Sequence, residues 1–126
     1  MRPSVGDVFG FWNSRLLYGE AGYKFHLCVC EKNLYYLFIC TDQGTDDYEI
    51  TPDDCSILSN EESYLSFSGV PRIQDIPKQF NGPSRVSDEY LLAMAEHVAA
   101  SRYISHVNKR KIIPGVERHL RILILF

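Results

Sequence analysis

Four side chains in the first third of the chain, Arg15, Lys24, His26 and Thr41, could together manage a proton and a phosphate. Cleavage of RNA by its own 2′-hydroxyl needs no metal. It needs an acid or base at the attacking or leaving oxygen, and a cation or fixed donors facing the charge that builds on phosphorus. In that chemistry His26 would be the acid or base, Lys24 and Arg15 would stabilise charge, and Thr41 would position phosphate. Each also has a plainer role: Lys24 as a solvated strand start, His26 as a cross-strand partner, Thr41 as an ordinary strand former, and Arg15 as surface charge.

Other chemistries find less support. Cys28 and Cys30 would share a strand face with His26, and Cys40 or Cys55 could complete a zinc tetrahedron. Zinc sites, however, usually draw on turns of the C-x-x-C kind, and cysteine is among the most often buried residues, so core thiols without a metal are expected. A cysteine nucleophile would need a histidine and a third, orienting group, and no local signature of that arrangement occurs. The chain also lacks a phosphate-cradling glycine loop, H-E-x-x-H and G-x-S-x-G. No cofactor or metal is expected.

A hairpin would bring Lys24, His26 and Thr41 together. Lys24 to Cys30 alternates, with Phe25, Leu27 and Val29 on one face and His26, Cys28 and Cys30 on the other. Glu31-Lys32-Asn33 forms a tight turn because asparagine tolerates positive φ, and Leu34 to Thr41, apolar on both faces, reads as a central, doubly covered strand. Arg15 would swing in from the polar loop Asn13 to Gly22. Around the hairpin the pattern predicts a first strand at Val5 to Trp12, a short strand at Tyr48 to Ile50 and a turn at Thr51 to Asp54. A further strand, Tyr64 to Ile73, is broken by Gly69 and Pro71 and so lies at an edge or a bulge.

After Pro83 the period becomes helical. Ser87 is a good N-cap for Asp88 and Glu89, and Leu91, Met94, Ala95, Val98 and Ala99 form one apolar face. Pro114-Gly115 reads as a stop. Val116 to Phe126 fits an amphipathic helix, a closing strand or an apolar tail for a partner. The expectation is a mainly β (α+β) fold in a single domain: a small antiparallel barrel of five to six strands over residues 5–74, one main helix over 87–103, and a basic and apolar C-terminal extension over 104–126.

The 126 residues are enough for one domain with its own core. The start of the chain does not resemble a leader, and no apolar run nears the roughly 20 residues that cross a bilayer. A soluble cytoplasmic protein with reduced thiols is therefore expected. The net charge of −3 hides an asymmetry: residues 102–126 carry six basic side chains against one acid, and the first 101 carry seven against fifteen. The bulk of the chain, at −8, repels phosphate.

The order of segments adds a family resemblance. Gly6-Asp7-Val8-Phe9, Lys24 to Cys30, Leu37 to Asp42, Ser63 to Ile73 and a terminal amphipathic helix together resemble the PemK/MazF-like toxins over about residues 5–101. The resemblance implies an SH3-like barrel and a metal-independent endoribonuclease acting on single-stranded RNA. It also implies a toxin–antitoxin system, with a cognate antitoxin and a typically dimeric enzyme. Lys24 stands where that family usually has an arginine and Thr41 where it has Thr or Ser. The family's Arg-Pro is replaced by Lys24-Phe25, and lysine lacks the guanidinium fork.

Two other readings come from the residues themselves. The same barrel could bind a protein partner without catalysis, through Trp12, Tyr18, Tyr23 and Tyr35 or Tyr36 and an apolar C-terminus. The run Lys109-Arg110-Lys111 could hold nucleic acid, although such runs are usually solvated.

Overall fold

A computed structural model describes residues 2–13, 22–59 and 62–124. Six strands form one antiparallel sheet: β1 (Asp7–Asn13), β2 (Gly22–Cys30), β3 (Tyr35–Cys40), β4 (Tyr48–Glu49), β5 (Tyr64–Leu65) and β6 (Asn81–Arg85). Their order across the sheet is β4-β5-β3-β2-β1-β6. Two helices follow, α1 (Asp88–Ala100) and α2 (His106–Ile124). The fold is mainly β with a C-terminal helix, as the pattern implied, but two helices pack on the sheet where one was expected.

β2 and β3 are the centre, and both of their faces are covered. On one face Leu27, Val29, Leu37 and Ile39 join Val8 and Leu65 beneath Leu91, Met94 and Val98 of α1 and Ile112 and Val116 of α2. On the other, Phe9, Phe11, Cys28 and Tyr36 form a second, smaller core beneath Leu34, Ile73, Ile76 and Phe80. The chain from Pro71 to Ile73 returns alongside β3, with the Tyr36 amide donating to the Pro71 carbonyl and the Ile73 amide to the Leu34 carbonyl. The sheet's edges are β4 and β6. No strand pairing among the described residues joins them, but the segment after β4 reaches β6 through the Ser56 and Ser84 hydroxyls, 3.3 Å apart.

Several expectations change in detail. The β2–β3 turn places Leu34, not Asn33, at positive φ (56°), and Leu34 packs into the second core. β5 pairs on both sides, with β3 and with β4, so it is not an edge. β6, one of the two edges, was not expected as a strand, and it contains Pro83. An edge strand tolerates proline because its outward N–H has no ladder partner to lose.

Ser87 caps α1 by accepting from the Tyr90 amide at 3.0 Å, and Leu91, Met94, Ala95 and Val98 are buried while Ala99 is exposed. Pro114-Gly115 does not stop α2, which runs through both residues. Gly115 is where the helix crosses β2, since a Cβ there would sit 2.2 Å from the Val29 carbonyl oxygen. Only glycine allows that approach, and it seats the fully buried Ile112 and Val116. Their burial, at about 2 kcal/mol each, offsets the roughly 3 kcal/mol that a mid-helix proline costs. Among the described residues no helix is long and apolar enough to cross a membrane.

Candidate functional site

The face of β2 that carries Lys24, His26 and Cys28 runs from solvent into the interior. Cross-strand pairing sets what each residue meets: Phe11 lies opposite Lys24, and Phe9 and Phe38 lie opposite His26 on the two sides. His26 is completely buried. Its ring stacks on Phe11 with centroids 4.0 Å apart and tilts against Phe38 at 5.4 Å. Because a carbonyl can only accept, the Nδ1–H donates to the Phe9 carbonyl (3.3 Å), which leaves Nε2 to accept from the Asn13 side-chain amide at 3.1 Å. Burial holds its pKa down at about 4, against weaker upward pulls from backbone hydrogen bonds at Phe9 and Lys24. The residue expected to act as acid or base is therefore a neutral, satisfied core imidazole.

Lys24 and Thr41 line the same space. The pairing of Phe25 with Ile39 brings both to the same end of the hairpin, where they line two adjoining hollows. The larger, about 610 Å³, lies between β2–β3, the turn at 42–47, Ser66 to Ser68 and the α1–α2 junction at Tyr103. The smaller, about 140 Å³, is walled by Tyr23, Phe25 and Leu58. His26 lines neither hollow. Arg15 and Tyr18 lie outside the described residues.

The larger cleft has one lysine, Lys24, against the carboxylates of Asp42 and Asp47. Among the described residues neither acid forms an ion pair with it. Asp47 instead accepts from the Gly44 amide at 2.7 Å, which shapes the turn. The turn is fixed at Asp46: its carboxylate accepts from the Ser101 hydroxyl, and its carbonyl from His97 Nε2–H at 2.7 Å. Ser101 Oγ also accepts from the amides of Tyr103 and Ile104. One side chain thus caps the start of the α1–α2 connection and anchors a cleft wall.

Sequence reasoning missed Asp42, Asp47, Ser66, Ser68 and Tyr103. The sequence pattern Asp42 to Asp47 around Gly44, which reads as a turn, was a signal for the two acids, and nothing local marked Ser66, Ser68 or Tyr103.

Three of the four thiols are held in the protonated form. Burial pushes the Cys28 thiol up to about 12 and also raises Cys40 and Cys55, so thiolates are disfavoured. Cys28 lies in the second core and Cys55 in the main one. Among the described residues no three His, Cys, Asp or Glu side chains gather as a metal set. In the basic run, Lys109 donates to the carbonyls of Ala99 and Ser101 at 3.1 and 2.5 Å, and the Lys111 ammonium lies 5.5 Å from the Tyr35 ring centre. That leaves Arg110 as the member of the run facing solvent.

The aromatic residues divide in the same way. Trp12 and Tyr23, cross-strand partners at the open end of β1–β2, are 61% and 46% exposed, and Tyr103 is 73% exposed. Tyr36 is fully buried, and Tyr35 packs against the main core. Tyr23 leans across β1 over Gly10, where a Cβ would come within 2.6 Å of its hydroxyl, and that hydroxyl accepts from the Asn81 amide. No family model, curated protein or solved structure matches this chain.

Proposed function

We propose that this protein is a binding module that grips a protein partner at the Lys24–Thr41 end of the β2–β3 hairpin and does no chemistry on it. The observation that carries this reading is the position of His26. The imidazole that would have moved a proton is sealed beneath Phe11 and kept neutral, while the neighbouring cleft holds more carboxylates than cations. Exposed Tyr103 on that cleft, Tyr23 on the smaller hollow and Trp12 paired with Tyr23 supply large, stiff contact surface, which suits partner recognition.

One observation favours the ribonuclease-toxin reading: Lys24 and Thr41, the two residues that stand at that family's positions, line the same cleft. In that reading a cognate antitoxin and single-stranded RNA would be the partners, and the chemistry would proceed without His26. Incubating the purified protein with single-stranded RNA, without added metal and beside Lys24→Ala, separates the two. Intact RNA in both reactions is expected. Cleavage by the native protein that disappears in Lys24→Ala would replace the binding reading with the enzymatic one.

A further inference from the structure

The larger cleft presents opposite charges that do not neutralise each other. The Lys24 ammonium, half-buried on β2, has no carboxylate within 4 Å among the described residues, and Asp42 and Asp47 line the same cleft from the turn that follows β3. A singly charged guest meets one attraction and one repulsion there. An anionic RNA backbone meets the same conflict once per phosphate. A guest carrying both charges on one short stem satisfies both walls at once, and the Tyr103 ring, 73% exposed at the rim, adds a face for a cation.

The volume, about 610 Å³, suits one or two residues of extended chain and not a folded surface. The smaller hollow continues the path past Lys24 and Thr41 toward Tyr23, giving room for the residues that precede the guest's end.

We propose that this cleft receives the C-terminal lysine or arginine of a partner chain, with the terminal carboxylate at Lys24 and Thr41 and the side-chain cation between Asp42, Asp47 and Tyr103. The proposal rests on the partner-binding reading and narrows it to one chemical class.

Fluorescence anisotropy of the intact protein with labelled octapeptides tests it. A peptide ending in lysine with a free carboxylate is expected to bind at least 10-fold more tightly than the same peptide amidated, and than one ending in glutamate. Lys24→Met should bring the free peptide down to the level of the amide and leave the amide unchanged, a coupling that a merely structural role would not produce. Asp42→Asn with Asp47→Asn should erase the preference for lysine over glutamate.

Equal binding of the free and amidated peptides by the native protein would overturn the proposal. So would free lysine competing as well as the peptide does, since the guest would then be a small molecule. Failure of every peptide alongside intact RNA would overturn this assignment alone, whereas RNA cleavage dependent on Lys24 would overturn the binding reading as well.

Discussion

His26 and Lys24 stand two residues apart on one face of one strand, yet they occupy opposite environments. His26 has Phe9 and Phe38 across the ladder, Phe11 stacked on its ring and no exposed surface. Lys24 opens onto two hollows. The difference arises outside β2. The segment that carries Ile73, Ile76 and Phe80 covers this face of the sheet over Cys28 and Tyr36, and Lys24 lies beyond its reach, at the strand's open end. Strand periodicity assigns a side; the covering chain assigns depth. Chemistry that needs a solvent-connected proton carrier cannot use the buried half of this face, while recognition can use the open half.

The contrast predicts unequal responses to substitution. The largest should come at His26. His26→Ala empties a packed site and strands the Phe9 carbonyl, at a cost of about 3 kcal/mol in urea unfolding.

The same residue should shape the pH dependence. Its folded pKa, about 4, lies below the ordinary 6.5, so between those values the unfolded chain binds a proton that the folded chain does not. Stability is then unaffected by this group above pH 6.5 and falls by about 3 kcal/mol as the pH drops toward 4. Unfolding curves for His26→Gln, whose side chain does not titrate, should lack that part of the loss.

A smaller effect is expected at the wall of the cleft. Asp46 sits at φ 62°, so Asp46→Gly keeps the backbone shape and removes only the bond to Ser101. A loss of about 1 kcal/mol should follow, with faster hydrogen exchange confined to residues 42–47 and unchanged protection in β2. Lys24→Ala, at the open end of the strand, should shift stability by about 0.5 kcal/mol or less. If Lys24→Ala instead destabilised as much as His26→Ala, the two ends of the face would not differ in the way described. Tyr103→Ala should change the melting temperature least, because the ring is 73% exposed, while still weakening capture of a lysine-terminated peptide.

Much of the scaffold was legible because local chemistry and tertiary context agree. The 24–41 hairpin alternates cleanly, β3 is apolar on both faces and is covered on both, and Ser87 announces α1 with a side chain that does cap it. The parts that were not legible are those where distant packing overrules a local signal. Pro114-Gly115 spells a helix end, but glycine was placed there by the proximity of Val29, a contact invisible from residues 110–120. Asn81 to Arg85 shows no strand alternation, yet it pairs with β1 as an edge strand.

In the site, the placing of Lys24 and Thr41 at one end of the hairpin followed from its register alone. The burial of His26 comes from Phe11, stacked on its ring, and Phe38, tilted against it from the other flanking strand, a packing that the alternation of β2 alone does not encode. Tyr103 and Asp46 gain their roles from the α1–α2 junction, whose geometry no motif marks.

That junction also imposes an order in time. Asp46 takes its hold from His97 and Ser101, 51 and 55 positions later, and Lys109 closes the same corner by binding the Ser101 carbonyl. During synthesis from the N-terminus the hairpin can close as soon as Thr41 is free of the ribosome, but the mouth beside it stays unset until the helices have emerged. The cleft wall therefore takes its shape only once residues 97–109 are in place, well after the hairpin it adjoins.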